Sequence, residues 1–247
     1  MGFVVAVDGP AGSGKGTITK KIAKEMNLTS IDTGAMYRSV TLAMLNENIA
    51  LDDYEKISKL LDEIKIEFKK IDGVQKVYLN GKDVSLEIRT KSVNENVSPV
   101  STIKIVRERL AKLQREMAET IDVIMEGRDI GTNVFPNANV KIYLDATPEE
   151  RARRRYLQNK ENGIEMPYEE ILESVKNRDF IDSTREIAPL KKADDAIYVD
   201  SSNMTIDEVV ERIKKIISED LKIKKVIMTR EEAKEFYEKT NASKKNF

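Results

Sequence analysis

Neither histidine nor cysteine occurs in the 247 residues, and tryptophan is missing too. Without cysteine there is no disulfide and no thiolate zinc site, which fits a reducing compartment. Without histidine, serine–histidine and cysteine–histidine catalysis, imidazole metal ligation and imidazole pH switching are all excluded. Any chemistry must then run on Lys, Arg, Asp, Glu, hydroxyls, backbone amides and a bound cation. Phosphoryl transfer needs little else, because it is catalysed chiefly by positioning and charge stabilisation.

Long apolar runs are lacking as well. No stretch approaches the roughly 18 residues of a membrane span. Phe3-Val4-Val5-Ala6-Val7 is too short for a signal peptide and meets Asp8-Gly9 at once. The expected protein is soluble and cytoplasmic. Neither sign of charge dominates either: 42 Lys and Arg stand against 43 Asp and Glu, a net charge of −1, so nothing global calls for nucleic acid. The distribution is uneven. Residues 221–247 hold eight basic and four acidic side chains, a local +4, and read as a solvated basic C-terminal extension. With hydrophobic residues at 40% and charged residues at 34%, the remaining chain suffices for one α/β core plus an inserted lobe or lid.

Periodicity supplies the order of elements. Residues 3–7 form a β-branched run bounded by Asp8-Gly9-Pro10 and read as a buried parallel strand. Ile18, Ile22 and Met26 predict a helix over 17–26, and Asp32-Thr33-Gly34 is read as a break before a second helix over 35–45. A third covers 51–62. Between 64 and 84 the period drops to two, with Asp72-Gly73 and Asn80-Gly81 as turns. That is a small antiparallel meander, either a substrate lobe or a surface excursion. A helix returns over 101–119. Strands follow at 123–125, 140–144 and 197–199, with helices at about 148–160, 167–182 and 205–219 between and after them. Strands alternating with helices predict a parallel sheet covered on both faces. Periodicity fades after Ser218, the expected mobile end.

The segment Gly9-Pro10-Ala11-Gly12-Ser13-Gly14-Lys15-Gly16-Thr17 follows the first strand and opens the first helix. In this P-loop arrangement glycines let backbone N–H groups wrap phosphate oxygens, and the helix N-terminus adds partial positive charge. Lys15 faces the β- and γ-phosphates, and the Thr17 hydroxyl is placed to hold Mg²⁺ directly or through water. The usual pattern has Ser or Thr right after the lysine; here Gly16 stands there, a version at home in nucleoside monophosphate kinases.

Two substrates bearing several phosphate charges require placed arginines. Arg38 closes Asp32-Thr33-Gly34-Ala35-Met36-Tyr37-Arg38. Arg128 sits in Glu126-Gly127-Arg128-Asp129, just beyond a strand's C-terminal end, where open α/β sheets bind ligands. Arg107 and Arg109 lie on the long central helix, Arg151, Arg153, Arg154 and Arg155 open a later one, and Arg178 and Arg185 flank Asp179 and Asp182. Tyr37 is either part of the site or a packing residue. The group 178–185 is either a ligand cluster or a charged helix face.

These segments in order resemble the bacterial-type cytidylate kinases. The matching stretches are Asp8 through Thr17, Asp32 through Arg38, Val84-Ser85-Leu86-Glu87-Ile88-Arg89, Glu126 through Thr132, Phe135-Pro136, and Arg185-Glu186-Ile187-Ala188-Pro189-Leu190, covering residues 1 to about 219. The resemblance implies the P-loop NTPase fold in a single kinase unit over 1–220. Its five-stranded parallel core would comprise 1–50, 98–148 and 187–220, with a CMP-binding insert at about 51–97 and a helical lid at about 149–186. It implies that Thr33, Arg107 and Asp129 read the cytosine, and that Arg38 and Arg128 hold the acceptor phosphate. Ser98, Arg178 and Asp182 would contact the ribose, and Arg185 would close on the phosphates. Lys15, Arg128 and Arg185 would then carry the catalytic charge, with ATP as donor, Mg²⁺ as its cation and CMP or dCMP as acceptor. A cytoplasmic monomer with no membrane or nucleic-acid partner is expected. A kinase for UMP, AMP or shikimate is the nearest rival, and a nucleotide-dependent switch binding RNA through the basic tail is the rival from another class.

Overall fold

The computed structural model describes residues 2–72, 74–161 and 163–221. The basic extension beyond residue 221, expected to be solvated, lies outside them.

The core grows from one strand. Val4–Asp8 (β1) is buried along its whole length, as a run of Val and Ala with no outward polar alternation requires at the centre of a doubly covered sheet. It pairs in parallel with Val123–Gly127 (β6) on one side and Val140–Asp145 (β7) on the other. Thr29–Asp32 (β2) and Ile197–Asp200 (β8) complete a five-stranded parallel sheet in the order β2-β6-β1-β7-β8. Strand pleating sends alternate residues to opposite faces. Val4 and Ala6 join one apolar cluster with Met36, Val40, Ile57, Val93, Val106 and Leu110. Val5 and Val7 join the other with Ile18, Ile22, Val210 and Ile213.

The first face is covered by Thr33–Asn46 (α2), Tyr54–Glu63 (α3), Lys91–Val100 (α4) and Lys104–Met117 (α5). The second is covered by Lys15–Met26 (α1) and by a helix over residues 206–221 (α8). Burying Ile22, Ile124 and Ile142 on such faces is worth roughly 1.5–3 kcal/mol each. Between α3 and α4 the meander forms a separate antiparallel sheet of Ile66–Ile71 (β3), Val74–Leu79 (β4) and Lys82–Asp83 (β5). It is tied to the core where the Gln75 amide donates to the Ser30 carbonyl at 2.6 Å. Between β7 and β8 stands a pair of packed helices, Pro148–Glu161 (α6) and Tyr168–Thr184 (α7).

Four local readings are corrected. Asp32-Thr33-Gly34 does not break the chain: Asp32 caps α2, accepting the Ala35 N–H at 2.8 Å, so the helix starts at Thr33. The strand β2 and the helix α4 were not anticipated from periodicity, and α4 carries an internal proline, Pro99. At the other end the helix expected over about 205–219 runs from 206 to 221, past Ser218 where periodicity fades.

Candidate functional site

The crevice lies at the carboxyl ends of β1, β2 and β6, where the chain's crossing direction reverses and α/β sheets bind ligands. Residues 9–14 leave β1 here. Gly9 has φ 150°, and a Cβ on it would stand 2.0 Å from the Leu144 carbonyl oxygen, so no other residue fits. Gly14 caps α1 in the left-handed region at φ 92°. Lys15, in the first turn, is 5% exposed. Its ammonium is gathered into the loop, donating to the carbonyls of Gly9 at 2.8 Å and Pro10 at 2.7 Å and to the Ser13 hydroxyl at 3.3 Å. Burial, reinforced by Arg128, pushes the amine down to about 7, against the pull of Glu126 and Asp8.

The glycine after Lys15 has a local cause. A Cβ on Gly16 would stand 3.0 Å from Glu126 Oε1. The buried Glu126 carboxylate therefore crowds a side chain at this position, and the nearest hydroxyl along the chain is that of Thr17, exposed on the first turn of α1. Burial, then the nearby Asp32, raises Glu126 to about 7.

Opposite the loop, α2, β6, α5 and α7 bring the charged residues together. Asp129 is 4% exposed. Its Oδ2 accepts from Arg107 Nη2 at 2.6 Å and Asn133 Nδ2 at 3.0 Å, and its Oδ1 lies 3.5 Å from Arg185 Nη2. Arg107 also donates to the Ser101 carbonyl at 3.0 Å and lies over the Tyr37 ring, 5.6 Å from its centroid. Burial raises the Tyr37 phenol to about 12. Thr33 donates to the Glu126 carbonyl at 2.7 Å, which sets its side chain beside Gly127. Asp182 Oδ2 accepts from Arg128 Nε at 2.9 Å, with Arg185 3.8 Å and Arg178 4.0 Å from the carboxylate. Arg185 closes a tight turn, donating to Ala188 O at 2.8 Å, where Ala188 takes φ 48°. Ser98 lies buried on α4, which packs against α7, and its carbonyl accepts the Ser101 hydroxyl.

Cations crowd this crevice. Arg38 is held by Asp32 at 3.0 Å, yet its buried Nε has no hydrogen-bond partner, and neither has that of Arg178. Burial, then repulsion from Arg128, pushes Arg178 down to about 10, with Arg38 and Arg155 adding to it. Burial, then Arg107, lowers Arg185 as well. Unpaired guanidinium donors that repel one another form a site that an incoming multivalent anion relieves.

The α6–α7 pair is fastened to the P-loop. Arg151, 2% exposed, donates both terminal nitrogens to Asp179 on α7, at 2.9 and 2.6 Å. The same guanidinium reaches the carbonyls of Ala11 at 3.1 Å and Ala146 at 2.8 Å. Arg154 donates to the Ser201 carbonyl at 2.7 Å.

Sequence reasoning passed over Asp8, Asp32, Glu126 and the role of Arg151. The available signals were an acidic residue at the end of each of three strands, each next to a glycine motif.

A glycine-rich loop between a central parallel strand and a helix, facing an arginine-rich second site under a helical pair, defines a P-loop kinase. The family model for cytidylate kinase matches residues 5–219. The cytidylate kinase of Fusobacterium nucleatum subsp. nucleatum is 55% identical over 87% of this chain and 97% of its own length. Those of Lactobacillus johnsonii and Bacillus cereus are 52% and 45% identical, over 88% and 87% of this chain and 95% of their own lengths. The chain belongs to the cytidylate kinase family.

Proposed function

We propose that this protein transfers the γ-phosphate of ATP to CMP, and also to dCMP, forming ADP and CDP or dCDP. The observation that carries the reading is the buried Arg107–Asp129 pair beside the clustered Arg38, Arg128 and Arg178, of which Arg38 and Arg178 keep buried Nε donors without partners.

In this reading residues 9–17 cradle the donor phosphates and Lys15 leaves its loop carbonyls to meet their charge. Arg38 and Arg128 receive the acceptor phosphate, and Arg185, with Arg128, stabilises the migrating group. Ser98, Arg178 and Asp182 take the ribose. Thr33, Tyr37, Arg107 and Asp129 enclose the base. The acceptor is an anionic phosphate oxygen, so no strong general base is required. The α6–α7 pair serves as the lid that excludes water, which would otherwise hydrolyse ATP.

Among the described residues no group of three or more acidic side chains is placed to hold a metal by itself. An exposed Thr17 hydroxyl at the helix start fits Mg²⁺ carried mainly by the nucleotide, a cation that keeps several waters and takes few protein oxygens. When bound, the cation neutralises charge on the donor phosphates. No helix among the described residues is long and apolar enough to cross a membrane. The near-balanced net charge of −1 favours small nucleotides over nucleic acid as partners, and the proposed reading is of a cytoplasmic monomer.

Asp129 decides between CMP and UMP. Cytosine presents an amino donor where uracil presents a carbonyl, and a carboxylate can only accept. An Asp129→Asn variant, confirmed as folded by circular dichroism, should narrow the CMP/UMP ratio of kcat/KM severalfold or more, because a buried polar site discriminates by leaving groups unpaired. An unchanged ratio would move base recognition elsewhere.

A further inference from the structure

Asp8 is the last residue of β1 and the residue before the P-loop; its Cα pairs with Gly127 on β6 and Tyr143 on β7. At 5% exposure it spends both carboxylate oxygens on backbone amides from a distant segment. Oδ1 accepts the Ile130 N–H at 2.8 Å and Oδ2 the Gly131 N–H at 2.7 Å. Those amides open a wide helical turn over Ile130–Val134 that hangs from the Asp129 carbonyl, which accepts the N–H groups of Asn133 and Val134 at 2.9 and 3.1 Å. The turn packs closely on the side chains of Asp8 and Lys141. A Cβ on Gly131 would stand 3.1 Å from Lys141 Cδ and 3.4 Å from Asp8 Oδ2.

We propose that Asp8 is a positioning residue for the acceptor: its two-amide bond to Ile130 and Gly131 fixes the turn that aims Arg128 and Asp129, so selection of the acceptor base depends on the strand that carries the donor loop. The inference rests on the reading of Asp129 as the base-selecting group.

Only a carboxylate does this. Two adjacent N–H donors need two acceptors; an asparagine offers one oxygen and turns its amide hydrogens on the second N–H. The arrangement is kept against an electrostatic cost. Burial raises Asp8 to about 6 even though both amides favour its charge, and Asp129 repels it while Lys15 attracts it. Arg128, just past β6, and Tyr143 on β7 also interact with this carboxylate. Lys141 on β7 contributes its stem at Gly131, and its ammonium is engaged by Asp195 at 2.8 Å. A residue serving only packing would not be charged here.

The test is steady-state kinetics of Asp8→Asn with CMP, UMP and ATP, together with backbone amide exchange at residues 130 and 131. The KM for CMP should rise roughly tenfold or more, the scale of a buried donor left unpaired. The CMP/UMP ratio of kcat/KM should fall, exchange at the two amides should accelerate, and the KM for ATP should stay within about twofold, below the cost of losing one hydrogen bond. Gly131→Pro removes the N–H that Asp8 Oδ2 accepts without touching a carboxylate and should give the same acceptor-side pattern, which serves if Asp8→Asn does not fold. An unchanged KM for CMP, or an equal rise for ATP, overturns the proposal. If the wild type prefers a different acceptor, the CMP reading fails, but a selective rise in that acceptor's KM in the variants still upholds the role of Asp8.

Discussion

The Arg107 guanidinium and the Asp129 carboxylate meet at 2.6 Å with side chains only 3% and 6% exposed. Such a pair is no evidence of great stability, since desolvating both charges offsets most of their attraction. Breaking it is another matter. Arg107→Met leaves the buried carboxylate without its main partner, and should lower the unfolding free energy by about 3–5 kcal/mol. Arg185, 3.5 Å from the other oxygen, takes up part of the loss and sets the result toward the lower end. Urea denaturation measures it. A variant as stable as the wild type would mean that Asp129 is not held charged in the crevice.

Lys15→Ala removes the amine that the loop carbonyls of Gly9 and Pro10 now hold. It should lower kcat by about 10²–10³, or roughly 3–4 kcal/mol of transition-state stabilisation, while the fold survives. Near-normal turnover in a folded variant would contradict the phosphate role of this loop.

Glu126 gives the ligand-free protein a pH slope. Burial raises its carboxyl from an ordinary 4.5 to about 7, so the folded chain binds this proton more tightly than the unfolded one. The stability linked to that proton is complete below the ordinary carboxyl range and is lost as pH rises toward 7 and beyond. The expected loss is roughly 3 kcal/mol for the group, and Asp8, raised to about 6, adds in the same direction. Lys15, lowered to about 7, acts above this window, where stability rises with pH. Thermal melts of ligand-free protein between about pH 5 and pH 7 should show Tm falling, and Glu126→Gln should flatten the slope. These values lie above the range where lowered carboxylates such as Asp32 and Asp182 raise stability with pH. A Glu126→Gln slope equal to that of the wild type across this window contradicts the burial of Glu126 as a costly charge.

Much of this was legible in the residues. The meander between 64 and 84 follows from strict alternation and from turn residues able to take positive φ, as Asp72 and Asn80 do at 50° and 49°. The strand β2 escaped because Thr29-Ser30-Ile31-Asp32 carries a single apolar side chain and lies at the sheet edge. The helix α4 escaped because Pro99 argues against helix, although Val93, Val97 and Val100 mark its buried face. Residues of the site that stand in local motifs, such as Lys15, Arg38, Arg128 and Asp129, were visible for the same reason that their chemistry is local. The contacts of Asp8 with a turn 122 and 123 residues away, of Glu126 with Gly16, and of Arg151 with the P-loop arise from strand register and helix docking. No local pattern encodes them.

The most direct measurement is ADP formation by the wild-type protein with MgATP, followed with CMP, dCMP, UMP, AMP or no acceptor. CMP should give the highest kcat/KM, with dCMP also accepted, UMP well below, and little ADP formed without an acceptor, because in the proposed reading the buried Nε donors of Arg38 and Arg178 gain partners only when the acceptor phosphate is bound. Preference for UMP or AMP, or ATP turnover indifferent to any monophosphate, would contradict the account.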